Sequence, residues 1–147
     1  MVIGMAVAKS FRELNVYRLS RAAAGKVFVP TKTFPREERF SLIDQIRRSS
    51  RAINAMSAEA WARRRYEAAF INKTDEALGE CMETQAWLDQ ALDCGYMGRA
   101  EFAALDADYG SVGAMLSRMI DRAGDFCKHP PSTDYRVMVD EPPITIH

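Results

Sequence analysis

The sequence predicts an all-α protein, an antiparallel up-down-up-down four-helix bundle followed by an irregular C-terminal tail. Three observations support this fold class: apolar residues recur at 3,4 spacing, the helical segments have similar lengths, and the breakers between them are short. The chain has 147 residues, of which 48% are hydrophobic, and this suffices for one compact domain. We expect the bundle over residues 1–127 and a proline-rich tail or arm over residues 128–147.

The first two helical segments are predicted from their caps and their apolar faces. The first runs from about Ser10, a plausible N-cap, to Phe28. The second is expected to begin at Pro35, because the fixed φ of proline suits a first helical turn. Their expected buried faces are Leu14, Tyr17, Ala24 and Phe28 in the first segment, and Phe40, Ile43, Ile46, Ile53 and Ala60 in the second.

The third segment is predicted from its apolar face and its C-terminal cap, and the fourth has the clearest periodicity. The third spans about Tyr66 to Cys94 and ends at Gly95, a residue suited to a left-handed C-terminal cap. The turn before it falls somewhere between Arg63 and Tyr66, where no Gly or Pro marks it. The fourth segment is predicted as one continuous helix with a strict 3,4 seam of Phe102, Leu105, Tyr109, Val112, Leu116, Met119, Ala123 and Phe126.

The tail KHPPSTDYRVMVDEPPITIH contains four of the six prolines and therefore cannot be helical throughout. The alternation over Tyr135 to Val139 permits a short strand or an arm across a neighbour. A disordered terminus is the alternative, because chain ends usually fray unless they are tied down.

Composition argues against several classes of protein. No apolar run is long enough to span a membrane, and the opening MVIGMAVAKS lacks the pattern of a secretory signal, so we expect a cytoplasmic protein. The three cysteines are far apart and no CxxC pair occurs, which favours buried free thiols over a disulfide framework or a metal site.

Catalysis has no candidate residues in this sequence. Di-iron bundles present Glu-x-x-His motifs, whereas the two histidines here, His129 and His147, both lie in the tail. Glu80 and Glu83 share a helix face, but no nucleophile, metal site or phosphate loop accompanies them. We therefore expect no enzymatic activity, no cofactor and no small-molecule substrate.

Charge is divided unevenly along the chain although the formal net charge is zero. Residues 9–73 contain fifteen Lys and Arg against six Asp and Glu, a net charge of +9, and residues 74–147 contain five against fourteen, a net charge of −9. This asymmetry predicts either a basic surface for an acidic partner or two oppositely charged surfaces that attract each other.

The stretch QIRRSSRAINAMSAEAWARRR places six arginines on the second helix. Arg47, Arg48 and Arg51 are expected to crowd one side, and such a cluster requires acidic partners, either carboxylates or phosphates. The contact candidates, either to another subunit or to nucleic acid, are Arg47, Arg48, Arg51, Arg63, Arg64, Arg65, Glu80, Glu83, Trp61 and Trp87. The two acids are expected to pair with second-helix arginines within the bundle or between subunits, and the two tryptophans can equally belong to the core.

Several segments, taken in order, carry a family resemblance: FPREERFSLIDQIRRSS, AEAWARR and ETQAWLDQALDCGYM. They resemble the bacterial four-helix bundle family labelled S23 ribosomal protein or 23S rRNA intervening-sequence protein, over about residues 11–120. The family run that reads like SI, two residues, then NIAEG is matched at Ile53, Ala58 and Glu59, whereas Met56, Ser57 and Ala60 depart from it.

The resemblance implies an antiparallel four-helix bundle that forms a ring of five subunits. It also implies a relation to the accessory variability determinant proteins of diversity-generating retroelements, which act with nucleic acid through a basic surface. Two hypotheses follow: a non-catalytic homo-oligomeric scaffold in which the arginines form ion pairs within and between subunits, or an accessory protein that binds RNA or DNA through the basic face of the second helix.

Overall fold

The computed structural model describes residues 8–127, and within them the chain forms an all-helical bundle without strands. The four long helices are α1 (Asn15–Thr31), α2 (Leu42–Ala62), α3 (Glu67–Asp93) and α4 (Arg99–Asp121), and a short helix α5 (Ala123–Cys127) follows. The four-helix prediction is confirmed. The expected strand or arm at Tyr135 to Val139, and the proposed limits of the domain and tail, fall on residues outside the described range.

The long helices occupy the corners of a square. Each packs against the next along the chain and α1 also packs against α4, whereas the backbones of the described diagonal pairs, α1 with α3 and α2 with α4, nowhere approach within 8 Å between Cα atoms. Neighbours run antiparallel: Arg48 near the start of α2 reaches Glu83 in the second half of α3, and Glu59 near the end of α2 reaches Lys73 near the start of α3. Helices α1 and α3 therefore face opposite sides of the molecule.

The core combines large apolar side chains with small hydroxyls. Phe70, Leu88 and Tyr109 are fully buried, and the fourth-helix seam is buried from Leu105 to Met119 as its spacing predicts. Between residues 8 and 127 the buried polar residues are all Ser or Thr, and most of their hydroxyls donate to a carbonyl of their own helix, which satisfies them without a partner across the bundle. The hydroxyl of Thr84 additionally lies 2.8 Å from that of Ser49 and joins α3 to α2.

The predicted starts of the first two helices are wrong by several residues. Ser10 does cap a helix, but it is a 3-10 turn over Phe11–Glu13 that precedes α1. Pro35 precedes a second 3-10 turn, and its ψ of 143° is extended rather than helical. Helix α2 begins at Leu42, so Phe40 lies before the helix and is 85% exposed rather than buried.

Two further expectations about buried faces need correction. The buried stripe of α1 is Val16, Ser20, Ala23, Val27 and Thr31, and the expected Tyr17, Ala24 and Phe28 lie on its flank, half-buried. The periodicity search missed this stripe because two of its members are polar. The fourth segment is also not continuous, because Arg122 has non-helical dihedral angles and separates α4 from α5.

The turns agree with their sequence signals where such signals exist. Gly95 has φ +73°, the left-handed conformation expected of a glycine after a helix, and α3 is bounded by Tyr66 and Cys94 as predicted. The turn between α2 and α3 lies at Arg63 to Tyr66, where backbone N–H groups of Arg63 and Tyr66 close successive tight turns.

Candidate functional site

An ion-pair cluster joins α2 to α3 on the side of the bundle. One guanidinium nitrogen of Arg48 lies 2.6 Å from Glu83 Oε1 and the other lies 3.4 Å from Glu80 Oε1. Glu83 Oε1 also accepts a hydrogen bond of 3.2 Å from the indole of Trp87, which fixes the ring against α3. The expectation that these two acids pair with a second-helix arginine is thus met within a single chain.

The two carboxyl groups of this cluster have different protonation tendencies. Burial raises the pKa of Glu80, and the nearby Glu83 carboxylate raises it further, against the opposing effect of Arg48. Burial also acts to raise the pKa of Glu83, but hydrogen bonds from Glu80, Trp87 and Arg48 outweigh it and lower that pKa. The second oxygen of Glu80, Oε2, is buried without a hydrogen-bond partner among the described residues. The pair is therefore best described as Glu80 retaining a proton more readily while Glu83 carries the charge.

Arg47 and Arg51 turn away from this cluster, towards α1. Their guanidinium groups lie 4.6 and 5.4 Å from the centre of the Phe28 ring, and Lys32 lies 4.9 Å from it. Arg47 is also held by a hydrogen bond of 2.9 Å from its Nε to the hydroxyl of Thr31. The three arginines lie within about 100° of one another around α2, as expected, but their partners differ: Arg48 reaches α3, whereas Arg47 and Arg51 reach α1.

Lys32, Arg47 and Arg51 form what we call the Phe28 cation cluster. Three positively charged groups lie over the Phe28 ring. Each is attracted by the partial negative charge on the face of the ring. Within residues 8–127 none of the three forms an ion pair with a carboxylate. Lys32 and Phe28 were not predicted as members of this site, although their spacing of four residues at the end of α1 is a usable signal.

The second arginine group lies at the turn between α2 and α3. Arg64 stacks on Trp61 with 3.9 Å between guanidinium and ring centre, and it donates to the Trp61 carbonyl oxygen at 2.8 Å. Burial by this packing lowers the pKa of Arg64. Arg63 and Arg65 are exposed, whereas Trp61, like Trp87, is half-buried and packed against the core. A role of these residues in contacts with another subunit or with nucleic acid stays a prediction.

Helix α1 carries a further basic surface that the sequence analysis did not single out. An open pocket of about 390 Å³ is lined by Arg12, Tyr17, Arg18, Arg21, Ala22 and Gly25. Arg18 Nε donates to the Arg12 carbonyl oxygen at 3.0 Å, and Arg12 stacks on Phe11 at 4.5 Å, so both side chains are held in place. The basic i,i+3 spacing of Arg18 and Arg21 is the sequence signal for this surface.

Ion pairs between the basic and acidic halves are few. Besides Arg48, only Lys26 and Lys73 pair with carboxylates among the described residues: Lys26 with Asp108 at 3.1 Å, and Lys73 with Glu59 and Glu76 at 3.3 and 2.6 Å. Most of the described charges therefore face solvent. Such exposed charges remain able to interact with another molecule.

The three cysteine thiols lie in different environments. All three cysteines are free, but only Cys81 is buried, whereas Cys127 is half-buried and Cys94 is exposed at the end of α3. The expectation of buried thiols is thus wrong for Cys94. Burial raises the pKa of Cys81 to about 11, which keeps it protonated at neutral pH.

Between residues 8 and 127 no three or more His, Cys, Asp or Glu side chains are grouped so that they can hold a metal ion. None of the helices in that range combines the length and apolar character that a membrane span requires.

These features define a small helical bundle that is distinguished by the charged side chains exposed on its helices. The family model for the 23S rRNA-intervening sequence protein matches residues 12–118, and the chain belongs to this family. A solved structure from Bacteroides thetaiotaomicron, described as a protein of unknown function from the S23 ribosomal protein family, is 29% identical. The match has a TM-score of 0.65 and covers 71% of this chain and 97% of the other. A search of curated proteins gives no match.

Proposed function

We propose that this protein is a non-catalytic scaffold whose copies associate head to tail into a ring. The observation that carries the proposal is the separation of charge across the bundle: α1 and α2 belong to a basic half, and α3 and α4 to an acidic half. Within the described chain only Lys26, Arg48 and Lys73 pair with carboxylates. Two oppositely charged sides left largely exposed favour contact between copies.

The symmetry of such a contact follows from where the charges lie. A twofold dimer sets the same surface of both copies face to face, so a dimer formed through the basic side alone, or through the acidic side alone, places like charges against each other. A head-to-tail contact instead sets a basic side against an acidic side and leaves one of each free for the next copy. Repeated contacts of this kind form a ring when the rotation between successive copies closes, and the family resemblance implies five subunits.

The absence of catalysis is supported by how the polar groups are used. Glu83, the more acidic of the paired carboxyls, is engaged by Arg48 and Trp87, so it is oriented by the protein rather than left for a substrate. The Cys81 thiol is buried and protonated, which removes its nucleophilic form. Burial likewise raises the pKa of the Tyr109 hydroxyl. We place the protein in the cytoplasm, where free thiols persist.

Light scattering after size-exclusion chromatography tests the assembly. We expect a single species of about five chains at micromolar concentration in moderate salt, and a shift to smaller species in high salt because exposed charges are screened. A monomer under both conditions would exclude the scaffold. A dimer that persists in high salt would exclude the head-to-tail charge contact.

Binding of RNA or DNA is the second candidate function, and the Phe28 cation cluster favours it. Arginine groups held on an aromatic platform beside a lysine suit the oxygens of a phosphate backbone. Arg47 is already fixed by Thr31, which lowers the entropy lost on binding an anion.

Titration of labelled single- and double-stranded RNA and DNA at two salt concentrations tests this candidate. The variant Arg47→Ala with Arg51→Ala is expected to weaken binding and to reduce its salt dependence. Arg36→Ala, which removes an exposed arginine outside the cluster, is the matched control. No binding at low salt would exclude this function, and equal losses in both variants would show that binding is not located at the cluster.

A further inference from the structure

The outward faces of α1 and α3 have matching patterns. The α1 face, defined by Arg18, Ala22, Gly25, Val29 and Lys32, is exposed along its whole length, and Val29 is 62% exposed. It places a positive charge near each end and small or apolar residues between them. Because it points away from the core stripe of α1, no other described helix covers it.

The α3 face is the acidic counterpart. It is defined by Asp75, Gly79, Met82, Ala86 and Asp89, all exposed, and Met82 is 61% exposed. Neither aspartate forms an ion pair among the described residues. An exposed methionine between small residues, with an acid at each end, is an apolar surface bounded by charge.

The spacing along the two faces is the same. Along α1 and its C-cap the order is Arg18, Gly25 and Lys32 at intervals of seven residues, and on α3 it is Asp75, Met82 and Asp89 at the same intervals. Seven residues bring a helix back to nearly the same side, as in coiled coils. Each pair of charges is therefore about 21 Å apart along its helix axis.

The α1 face and the α3 face are complementary whether the two helices dock parallel or antiparallel. The charges at the ends meet opposite charges, and the protruding Met82 comes against Gly25, where an added Cβ would meet nothing within 4 Å of its own chain. Gly25 also borders the open pocket between Arg12 and Arg21, which leaves room for the methionine side chain. A long side chain inserted beside a residue without a side chain is the knob-into-hole contact of packed helices.

We propose that the α1 face of one copy docks on the α3 face of the next copy, with Met82 seated at Gly25 and the terminal charges paired. The two helices occupy diagonal corners, so the two faces point in opposite directions and one molecule offers both to different neighbours. This inference rests on the proposed self-association and names the surfaces that form it. Continued contacts of this kind make a ring or a filament, never an isolated twofold dimer.

Charge reversal tests the contact in the full-length protein. Reversing one face, by Arg18→Glu with Lys32→Glu or by Asp75→Lys with Asp89→Lys, sets like charges together at both ends and is expected to raise the dissociation constant about a hundredfold or more. The variant that carries all four changes restores opposite charges and is expected to regain assembly. Asp121→Lys with Arg122→Glu, exposed positions outside both faces, is the matched control and should assemble like the unmodified protein.

The outcomes separate the two proposals. Light scattering at matched concentrations measures assembly, and circular dichroism shows whether each variant is folded. An unmodified protein that is monomeric refutes the scaffold itself. An unmodified oligomer that survives both single-face reversals, or a four-change variant that is folded but remains dissociated, refutes only the α1–α3 contact.

Discussion

Glu80→Gln should stabilise the protein at neutral pH, although it removes one partner of an ion-pair cluster. The carboxyl of Glu80 is mostly buried, with 16% of its side chain exposed, and its Oε2 has no hydrogen-bond partner among the described residues. A buried polar atom without a partner costs about 1–3 kcal/mol, and an amide has no charge to desolvate. The amide keeps an oxygen for Arg48 and removes the buried negative charge, so we expect a gain of about 1 kcal/mol in the free energy of unfolding at pH 7.

The pH dependence gives the sign of this effect. Because the pKa of Glu80 is raised in the folded protein, its contribution to stability is complete below its unfolded pKa and is lost as the pH rises through the folded pKa. The gain from Glu80→Gln should therefore be largest at pH 7 and vanish near pH 4, as urea denaturation at fixed protein concentration will show. Glu76→Gln, at an exposed carboxyl on the same helix paired with Lys73, should change stability by less than about 0.5 kcal/mol. A loss of stability in Glu80→Gln that is as large at pH 7 as at pH 4 would refute the reasoning.

Three further predictions concern the core, a turn and the thiols. Leu88→Ala removes a fully buried side chain and should lower the free energy of unfolding by about 3 kcal/mol in a urea titration, and a loss below about 1 kcal/mol would contradict the assigned core. Gly95→Ala should cost about 1 kcal/mol in the same assay because its φ of +73° disfavours a side chain, and an unchanged stability would contradict the left-handed turn. A thiol reagent at pH 8 should modify Cys94 rapidly and Cys81 only on unfolding, because burial raises the pKa of Cys81 to about 11, and mass spectrometry of the labelled peptides separates the two sites.

The spacing of apolar residues and the Gly- and Pro-containing segments between the helices predicted most of the fold. The seam of α4 follows from its 3,4 spacing, and the end of α3 follows from Gly95, because both signals are local and apolar or conformational. The buried stripe of α1 escaped prediction because Ser20 and Thr31 satisfy their hydroxyls on carbonyls of their own helix. A buried face that contains such Ser and Thr residues cannot be recognised from the spacing of apolar residues alone.

The candidate surfaces were only partly predictable. The pairing of Glu80 and Glu83 with a second-helix arginine follows from opposite charges on adjacent helices, and Arg48 provides it. The division of the arginines between α1 and α3 depends on which helices flank α2, and this is set by packing that no single helix encodes. The match between the faces of α1 and α3 emerges only once the two helices are known to be diagonal.

Cross-linking between two single-cysteine variants tests the central claim most directly. In a background with Cys81→Ala, Cys94→Ser and Cys127→Ser, which removes all three native thiols, Gly25→Cys protein and Met82→Cys protein are mixed in high salt, returned to moderate salt and treated with a short bismaleimide. The charge-driven head-to-tail contact predicts a cross-linked pair in the mixture and none in either protein alone, because each face meets only its opposite. An oligomer that gives no link in the mixture, or links within either protein alone, would contradict it.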